Sequence, residues 1–278
     1  MSSIVFLAVL AAAFLHAGWN ALIKTGGSKQ TAMLVLSLGH AAIGLAIAPF
    51  RPFPGSDVWP WLLGSGLIHC AYQLFLAYAY EQGDLSRVYP ISRGAAPLIV
   101  LLVSLGFLPD PLGGWEVAGI AVLGAGILLM ARGVFTSGES RRMLPFALGA
   151  ACATAGYSLV DGLGARISGD PLGYISWLMV LSAVFYLPAA LALRGRGVLR
   201  APSRAWASGM IAAAASFVAY AIVVWAMTRA PIALVTALRE TSILFAVLIG
   251  WLVLGDRMDR GKALAAALIV AGAALTRL

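Results

Sequence analysis

Stretches of about 20 mostly apolar residues alternate with short polar or charged connections along the whole chain. A helix of ~20 residues is long enough to cross the ~30 Å hydrocarbon core of a bilayer. The pattern predicts ten membrane-spanning helices, over residues 3–23, 32–50, 58–80, 86–108, 114–132, 143–165, 172–193, 205–228, 231–254 and 260–277. No connection between them is long enough to form a soluble domain.

The chain contains a diverged internal repeat. A shift of 146 positions superposes Arg93 on Arg239 and Gly126 on Gly272. The charged linker at residues 132–142 divides the ten helices into two halves of five, residues 1–135 and 143–278. Because each half has an odd number of spans, the two copies should cross the membrane in opposite directions. We therefore expect an all-α membrane protein of two inverted five-helix repeats around a central cavity, with the binding site near the midplane.

Composition and charge support this fold and set its orientation. The chain is 61% hydrophobic and 11% charged, with a mean hydropathy of +0.93, unlike a soluble protein. The net charge of +8 comes from basic residues in short connections, so no nucleic-acid partner is expected. Alternate connections hold thirteen against four Lys and Arg residues, which predicts that both termini lie outside the cytoplasm.

Helices 4 and 9 each place an arginine inside an apolar span. Arg93 lies ~10 Å deep, where a charge is costly unless it is paired or faces water. Arg239 is its equivalent, and Glu240 follows it directly. We predict that Glu240 pairs with Arg93 across the repeats and leaves Arg239 without a carboxylate, because consecutive side chains point ~100° apart on a helix. A purely structural ion pair is the alternative.

Helix 4 also carries a predicted hinge. Pro90 and Pro97 each remove a helical hydrogen bond, and Gly94 lies between them. In the second copy Thr236 and Ile243 replace the two prolines, which predicts an unbroken helix 9. The alternative to a gating hinge is a static kink that accommodates a neighbouring helix.

Polar residues recur at helical spacing on single faces of helices 1, 3, 6 and 8, which indicates faces turned away from lipid. Together with helices 4 and 9 they predict a cavity lining, and helices 2, 5, 7 and 10 are placed at the periphery. The stripe of helix 6 also includes Asp161. The candidate substrate-binding residues are His16, Trp19, Asn20, His69, Tyr72, Gln73, Tyr80, Tyr89, Arg93, Tyr157, Ser158, Tyr220, Arg239 and Glu240.

Helices 5 and 10 are rich in glycine and alanine at spacings that let helices approach closely. Their small-residue faces fit either packing within the molecule or a homodimer contact. The sequence therefore leaves a monomer and a homodimer open.

Two motifs resemble the drug/metabolite transporter superfamily, in particular its EamA-type branch. The first is His16-Ala17-Gly18-Trp19-Asn20-Ala21-Leu22-Ile23-Lys24 in helix 1. The second runs from Ala77-Tyr78-Ala79-Tyr80 through Gly83-Asp84-Leu85-Ser86 to Tyr89-Pro90-Ile91-Ser92-Arg93. The resemblance covers the whole chain and implies ten helices around a cavity lined by helices 1, 3, 4, 6, 8 and 9. It also implies export of amino acids or other small metabolites from bacteria, across the inner membrane.

The residues and the resemblance together predict a secondary transporter rather than an enzyme. No G-x-x-x-x-G-K-[ST] motif or other cofactor or metal signature occurs, so passive or ion-coupled transport is expected. Two arginines against one clearly buried carboxylate favour a substrate with an anionic group, and membrane lipid is the other expected partner. The alternatives are a sugar-phosphate or nucleotide-sugar exchanger, which needs more cations, and an integral-membrane enzyme, which needs clustered histidines or paired carboxylates.

Overall fold

The structure is a computed structural model that describes residues 1–24, 29–82, 85–136, 141–200, 202–253 and 260–278. Within these residues all regular structure is helical. The helices are α1 (Ser3–Lys24), α2 (Lys29–Ile47), α3 (Trp59–Gln82), α4 (Leu85–Phe107), α5 (Gly114–Thr136), α6 (Leu144–Ser168), α7 (Pro171–Arg194), α8 (Ser203–Met227), α9 (Ile232–Arg239), α10 (Ser242–Val253) and α11 (Arg260–Leu275). Short 3-10 turns lie at Ala48–Phe50, Arg141–Met143 and Arg196–Leu199.

Each of the ten predicted segments is helical, and α9 and α10 together form the ninth. Seven stretches within the described residues are long and apolar enough to cross a membrane, including Ile232–Ile249 across α9 and α10. Shorter apolar stretches cover Ile91–Phe107 in α4 and Gly114–Met130 in α5. Large apolar side chains such as Leu7 and Leu102 face outward, as lipid contact requires. The chain is a multi-pass, all-helical membrane protein.

The packing of the helices has a twofold pattern. The third helix of the first half, α3, packs against α6 and α7, and the third helix of the second half, α8, packs against α1 and α2. The equivalent helices α2 and α7 contact each other, as do α5 and α11. Exchanging the two halves therefore reproduces these main contacts between helices.

The small-residue faces of α5 and α11 are used inside the molecule. A Cβ atom added to Gly119 would lie 2.7 Å from the carbonyl oxygen of Gly272, and one added to Gly126 would lie 2.9 Å from that of Ala265. Such distances are too short for any side chain, so the two backbones touch directly. Of the two packing roles left open by the sequence, the structure shows contact within the chain.

The ninth span is broken, so the prediction of an unbroken helix 9 was wrong. α9 ends at Arg239 and α10 begins at Ser242. The amides of Glu240 and Thr241 donate to carbonyls three residues back, at 3.0 and 3.1 Å, in place of the usual four. The Thr241 hydroxyl donates to the Leu238 carbonyl at 2.7 Å and competes for the helical acceptor. The break thus arises from a tightened turn that a side-chain hydroxyl stabilises, without a proline.

Helix α4, in contrast, continues as one α-helix from Leu85 to Phe107 through both of its prolines. Gly94 packs closely on α5, where an added Cβ would lie 2.7 Å from a side-chain methyl of Ile127. Pro97 is buried, and the side chain of Pro90 lies outside those that the structure describes. The hinge at Pro90, Gly94 and Pro97 stays a prediction.

Ion pairs connect the two halves at one end of the molecule, which we call the ion-paired end. Arg51 of the first half bonds Asp170 of the second at 2.6 and 2.8 Å. Arg166 of the second half bonds Asp110 of the first at 2.7 and 3.0 Å. Asp110 also accepts the amide of Ile232 at 2.9 Å, at the start of α9. This end is therefore closed by contacts that would have to break for the halves to separate there.

The pKa of Asp170, which lies outside the spans, is lowered by its partner. Burial alone would raise the pKa of this carboxyl, but the hydrogen bonds and charge of Arg51 contribute to a net lowering. The Arg51–Asp170 pair is therefore ionised at neutral pH.

Candidate functional site

Arg93, Arg239 and Glu240 meet in the protein interior. Their side chains are 2%, 3% and 0% exposed, so bulk water hydrates none of these charged groups. Arg93 Nε donates to Glu240 Oε2 at 2.9 Å, which confirms the predicted pair between the halves. Buried charges are tolerated only when they are paired, and here one carboxylate serves two guanidinium groups.

Arg239 also contacts Glu240, so the prediction that it would lack a carboxylate was wrong. Its Nε and Nη2 lie 3.3 and 3.2 Å from Glu240 Oε1. Consecutive side chains diverge on a regular helix, but α9 ends at Arg239 and Glu240 occupies the tightened turn that follows. The same helix break that the sequence pattern missed lets both arginines share the carboxylate, although the Arg239 contacts are longer than that of Arg93.

A cavity of about 90 Å³ lies beside this charge cluster. Its lining contains eleven of the predicted site residues, namely His16, Trp19, Asn20, His69, Tyr72, Gln73, Tyr80, Arg93, Tyr157, Tyr220 and Arg239. The volume equals that of about three water molecules and is well below the ~300 Å³ at which small-molecule pockets begin. The described conformation is therefore narrow, and a substrate would need it to widen.

Three predicted residues stand apart from this lining. Glu240 is held behind the arginines and is 0% exposed. Ser158 donates its hydroxyl to the carbonyl of Thr154, one turn back in α6, at 2.7 Å. The side chain of Tyr89 lies outside those that the structure describes.

The placement of helices 2 and 7 at the periphery was wrong, because both line the cavity. α2 contributes Met33, Leu36, Ser37 and His40, and α7 contributes Met179 and Ser182. Ser182 accepts a hydrogen bond from Gln73 Nε2 at 3.0 Å. These two helices lack a long polar stripe, so periodicity alone could not find them. The single signal in the sequence was the isolated His40.

The cavity leads away from the ion-paired end. Besides the central arginines, it is lined by Asn20 and Tyr80, near the last residues of α1 and α3, and by Met33, near the first residues of α2. The ion pairs of Arg51 and Arg166 lie at the other end of these helices. The structure is therefore closed at one end and has its cavity directed toward the other.

Asp161 of α6 is the centre of a second buried polar cluster. Its carboxylate is 0% exposed, and four donors surround it. Ser65 and Tyr174 donate to Oδ1, the latter at 3.2 Å. Tyr220 donates to Oδ2, and His69 Nε2 lies 3.1 Å from the same oxygen. Helices α3, α6, α7 and α8 thus converge on one carboxylate. The sequence placed Asp161 on a polar stripe but gave no reason to choose it as a site residue.

An aromatic cluster joins the two charged groups. The rings of His69 and Tyr157 stack with centroids 4.2 Å apart and planes 20° apart. The guanidinium carbon of Arg239 lies 5.7 Å from the centroid of the same Tyr157 ring, within range of a cation–π interaction. Tyr72 and Tyr220 meet Tyr157 edge-to-face at 5.5 and 5.9 Å. Tyr157 is therefore the structural link between the Asp161 cluster and the arginines.

The polar stripe of helix 1 is partly satisfied within its own helix. Trp19 Nε1 donates to His16 Nδ1 at 3.2 Å, and Asn20 Nδ2 donates to the His16 carbonyl at 2.7 Å. The His16 and Trp19 rings also meet edge-to-face with centroids 4.9 Å apart. These contacts fix the orientation of His16 on the cavity wall.

Comparison with known proteins agrees with this architecture. A riboflavin transporter of Vibrio cholerae serotype O1 (strain ATCC 39315 / El Tor Inaba N16961) is 29% identical over 136 residues. That match covers 47% of this chain and 44% of the relative, so the chain spans less than half the length of this curated protein. The chain also superposes on the crystal structure of a protein that is 20% identical, with a TM-score of 0.77. The superposition covers 100% of this chain and 99% of the other protein, and it shows the fold alone.

The decisive match is that of a family. The sequence pattern of the EamA-like transporter family matches residues 3–132 and again residues 141–278. Together these two matches cover almost the whole chain, and they describe a two-repeat membrane fold. The chain belongs to the EamA-like transporter family.

Proposed function

We propose that the protein is a secondary transporter that exports amino acids or similar small metabolites by alternating access. The observation that carries this proposal is the shared carboxylate of Glu240 beside the cavity. Two arginines line the cavity and one carboxylate serves both. The cluster therefore has one positive charge in excess, which a substrate carboxylate can neutralise.

Arg239 is the better candidate for contact with the substrate. Its contacts to Glu240 are 3.2 and 3.3 Å, against 2.9 Å for Arg93. A guanidinium group binds a carboxylate through paired hydrogen bonds, so an incoming carboxylate can displace the longer contacts of Arg239. Arg93 then stays on Glu240 and holds it in place. Tyr72, Tyr157 and Tyr220 supply an aromatic wall for the apolar part of the substrate.

The closed end and the directed cavity support alternating access. Each half contributes one arginine and one aspartate to the ion pairs that close one end. If the halves are inverted repeats, rocking them about the central site would break these pairs and close the cavity from the other side. The excess of basic residues predicts that the cavity faces the cytoplasm of a bacterium and that both termini are periplasmic. A substrate would then enter from the cytoplasm, as export requires.

Transport by purified protein in lipid vesicles tests this proposal. The experiment measures movement of labelled leucine, glutamate and alanine for the wild type, Arg239→Gln and Arg93→Gln. The matched control is Arg194→Gln, which removes an arginine from the exposed pair with Glu81. We expect Arg239→Gln to lower the transport rate at least tenfold, since a charge-assisted bond contributes ~1.5–3 kcal/mol. Equal rates for Arg239→Gln and Arg194→Gln would contradict the assignment.

A flat heteroaromatic substrate is a second candidate. The relative from Vibrio cholerae is described as a riboflavin transporter, and the described cavity has tyrosine rings on several sides. Riboflavin is fluorescent, so its movement can be followed in the same vesicles. Riboflavin transport that is unaffected by Arg239→Gln would favour this second function.

A sugar-phosphate or nucleotide-sugar exchanger is supported less well. Among the described lining residues, the permanent cations are Arg93 and Arg239, and Glu240 offsets one of them. A phosphate group carries up to two negative charges near neutral pH. The cluster therefore matches one carboxylate better than one phosphate.

A further inference from the structure

The Asp161 carboxyl group and His69 have no part in the function proposed so far. Asp161 is fully buried, and its partners among the described residues are three hydroxyl groups and one histidine, with no arginine or lysine. A buried carboxylate without a full positive partner is costly. Side chains from three other helices, α3, α7 and α8, nevertheless contact it. The cost of burying this carboxyl group indicates a role for Asp161 beyond packing.

The charges of the site are separated into two poles. One pole is the cluster of the Arg93 and Arg239 guanidinium groups around the single carboxyl group of Glu240, and the other is the carboxyl group of Asp161 beside the His69 imidazole. The two poles contact the same residue, Tyr157. The ring centroid of His69 lies 4.2 Å from that of Tyr157, and the guanidinium carbon of Arg239 lies 5.7 Å from it. The ring centroid of His69 and the guanidinium carbon of Arg239 are therefore separated by at most the sum of these two distances.

His69 is the link between Asp161 and the cavity. Its side chain is 11% exposed and lines the cavity, whereas that of Asp161 is 0% exposed. A carboxylate only accepts hydrogen bonds, so Asp161 favours the tautomer that carries its proton on Nε2. Nδ1 is then the remaining acceptor of the imidazole. A second proton at Nδ1 would make an imidazolium that pairs with Asp161 and stacks on the electron-rich face of Tyr157.

We propose that His69 and Asp161 form a site that binds either a proton or the ammonium group of an amino acid, so that the protein exchanges amino acids for protons. This proposal rests on the function proposed above. In the amino-acid state, the substrate carboxylate binds Arg239 and its ammonium group donates to His69 Nδ1, backed by the charge of Asp161. In the proton state, Nδ1 carries the proton and cannot accept a hydrogen bond. The lone pair of His69 Nδ1 can therefore bind a proton or accept a hydrogen bond from the ammonium group, but not both at once. Antiport requires such competition between its two substrates.

The neighbouring groups fit this exchange. The titratable and charged groups around His69 are Asp161 and Tyr157 on α6, Tyr174 on α7, Tyr220 on α8, His40 on α2 and, across Tyr157, Arg239 on α9. Asp161 favours the imidazolium, whereas Arg239 and a charged His40 oppose it. In the proton state the imidazolium therefore lies beside the Asp161 carboxylate, with Arg239 as the opposing charge across Tyr157.

A proton titration tests the site without any substrate. Purified protein in lipid nanodiscs is titrated between about pH 8 and 5, the range in which histidine side chains change charge, and a pH-sensitive dye reports the protons taken up. We expect the wild type to take up about one proton more than either Asp161→Asn or His69→Gln. Glu81→Gln makes the same carboxylate-to-amide change at an exposed ion pair and should match the wild type. Equal uptake by the wild type and both cluster variants, with folding checked by gel filtration, would overturn the proposal.

A transport experiment then tests the exchange. Vesicles containing the protein are loaded with labelled leucine, and a pH gradient is imposed across the membrane. We expect the gradient to accelerate leucine efflux from wild-type vesicles at least fivefold, the lower end of typical coupling between two sites. Leucine efflux from His69→Gln vesicles should be slower and unaffected by the pH gradient, whereas Glu81→Gln vesicles, changed at an exposed ion pair, should respond to the gradient as the wild type does. Equal acceleration of the wild type and His69→Gln, or acceleration by a sodium gradient instead, would refute proton exchange at this site.

A matched compound separates the two proposals. Leucine without its amino group, 4-methylpentanoate, keeps the carboxylate for Arg239 but has no ammonium group for His69. It should bind without releasing a proton, whereas leucine should release one from protein at mildly acid pH. If the wild type transports no amino acid at all, the proposed substrate class fails, and the nanodisc titration still decides whether His69 and Asp161 bind a proton.

Discussion

Removal of the shared carboxylate should damage the protein more than removal of either arginine. In Glu240→Gln, Arg93 and Arg239 remain buried at 2% and 3% exposure with no carboxylate between them. In Arg93→Gln or Arg239→Gln, the remaining arginine still pairs with Glu240. Glu240→Gln leaves the ion cluster with a net charge of +2, whereas either arginine variant leaves it with a net charge of zero. Their order of stability is therefore a direct test of the shared arrangement.

The expected size of the effect follows from burial. Breaking a buried ion pair by removing one partner costs ~3–5 kcal/mol, because it leaves an uncompensated charge away from water. For a chain of this size, 1 kcal/mol corresponds to ~2–4 °C in the unfolding temperature. Glu240→Gln should thus lower the unfolding temperature by roughly 6–20 °C. Each arginine variant should lower it by clearly less.

Thermal unfolding in detergent, followed by intrinsic fluorescence, measures these differences. Asp161→Asn is a useful comparison, since it also turns a fully buried carboxyl into an amide. It removes a charge that no arginine pairs with in the described contacts, so its loss of stability should be smaller than that of Glu240→Gln. If Glu240→Gln unfolds at the same temperature as Arg93→Gln or Arg239→Gln, the reasoning from a shared carboxylate is incorrect.

Further predictions concern the closed end and the contact of α5 with α11. The pKa of Asp170 is lowered in the folded protein, so its pair with Arg51 stabilises the fold fully above the unfolded carboxyl pKa of about 3.9. This stabilisation is lost as the pH falls through the lower pKa of the folded state. Asp170→Asn should therefore unfold at a lower temperature than the wild type at neutral pH, and the difference should shrink below about pH 4; a difference that persists unchanged in acid would argue against the pair. Gly272→Ala would place a Cβ 2.6 Å from the carbonyl oxygen of Gly119 and should cost ~1–3 kcal/mol, measured by thermal unfolding. Gly106→Ala meets nothing within 4 Å and should be neutral or slightly stabilising, so equal losses in both glycine variants would contradict the close contact.

Much of the fold could be predicted from the sequence because a bilayer imposes simple rules. Backbone groups in hydrocarbon must be satisfied within the helix, so each apolar stretch of about 20 residues has one available structure. The polar stripes of α1, α3, α6 and α8 also identified much of the cavity lining, since lipid excludes polar side chains from the outer face. The pairing of Arg93 with Glu240 was predictable because a deep charge requires a partner.

The errors arose where the outcome depended on contacts between helices. The proline-containing α4 is a continuous helix, whereas the proline-free ninth span breaks, because the Thr241 hydroxyl and a tightened turn decide the backbone there. That break in turn brings Arg239 to Glu240, which helical periodicity had excluded. His40 and Ser182 line the cavity although their helices show no polar stripe, since a single side chain leaves no period to detect.

The sequence by itself determined the membrane class, the positions of the ten helical segments, the repeat and the need to pair the buried charges, because these follow from local hydrophobicity, spacing and the cost of charge in oil. The tertiary structure decided which side chains meet, since residues far apart in the chain are brought together only by packing. Ser65, His69, Tyr174 and Tyr220 converge on Asp161 from three other helices. No spacing within one helix could specify that convergence, and it is there that the second charged pole of the site was found.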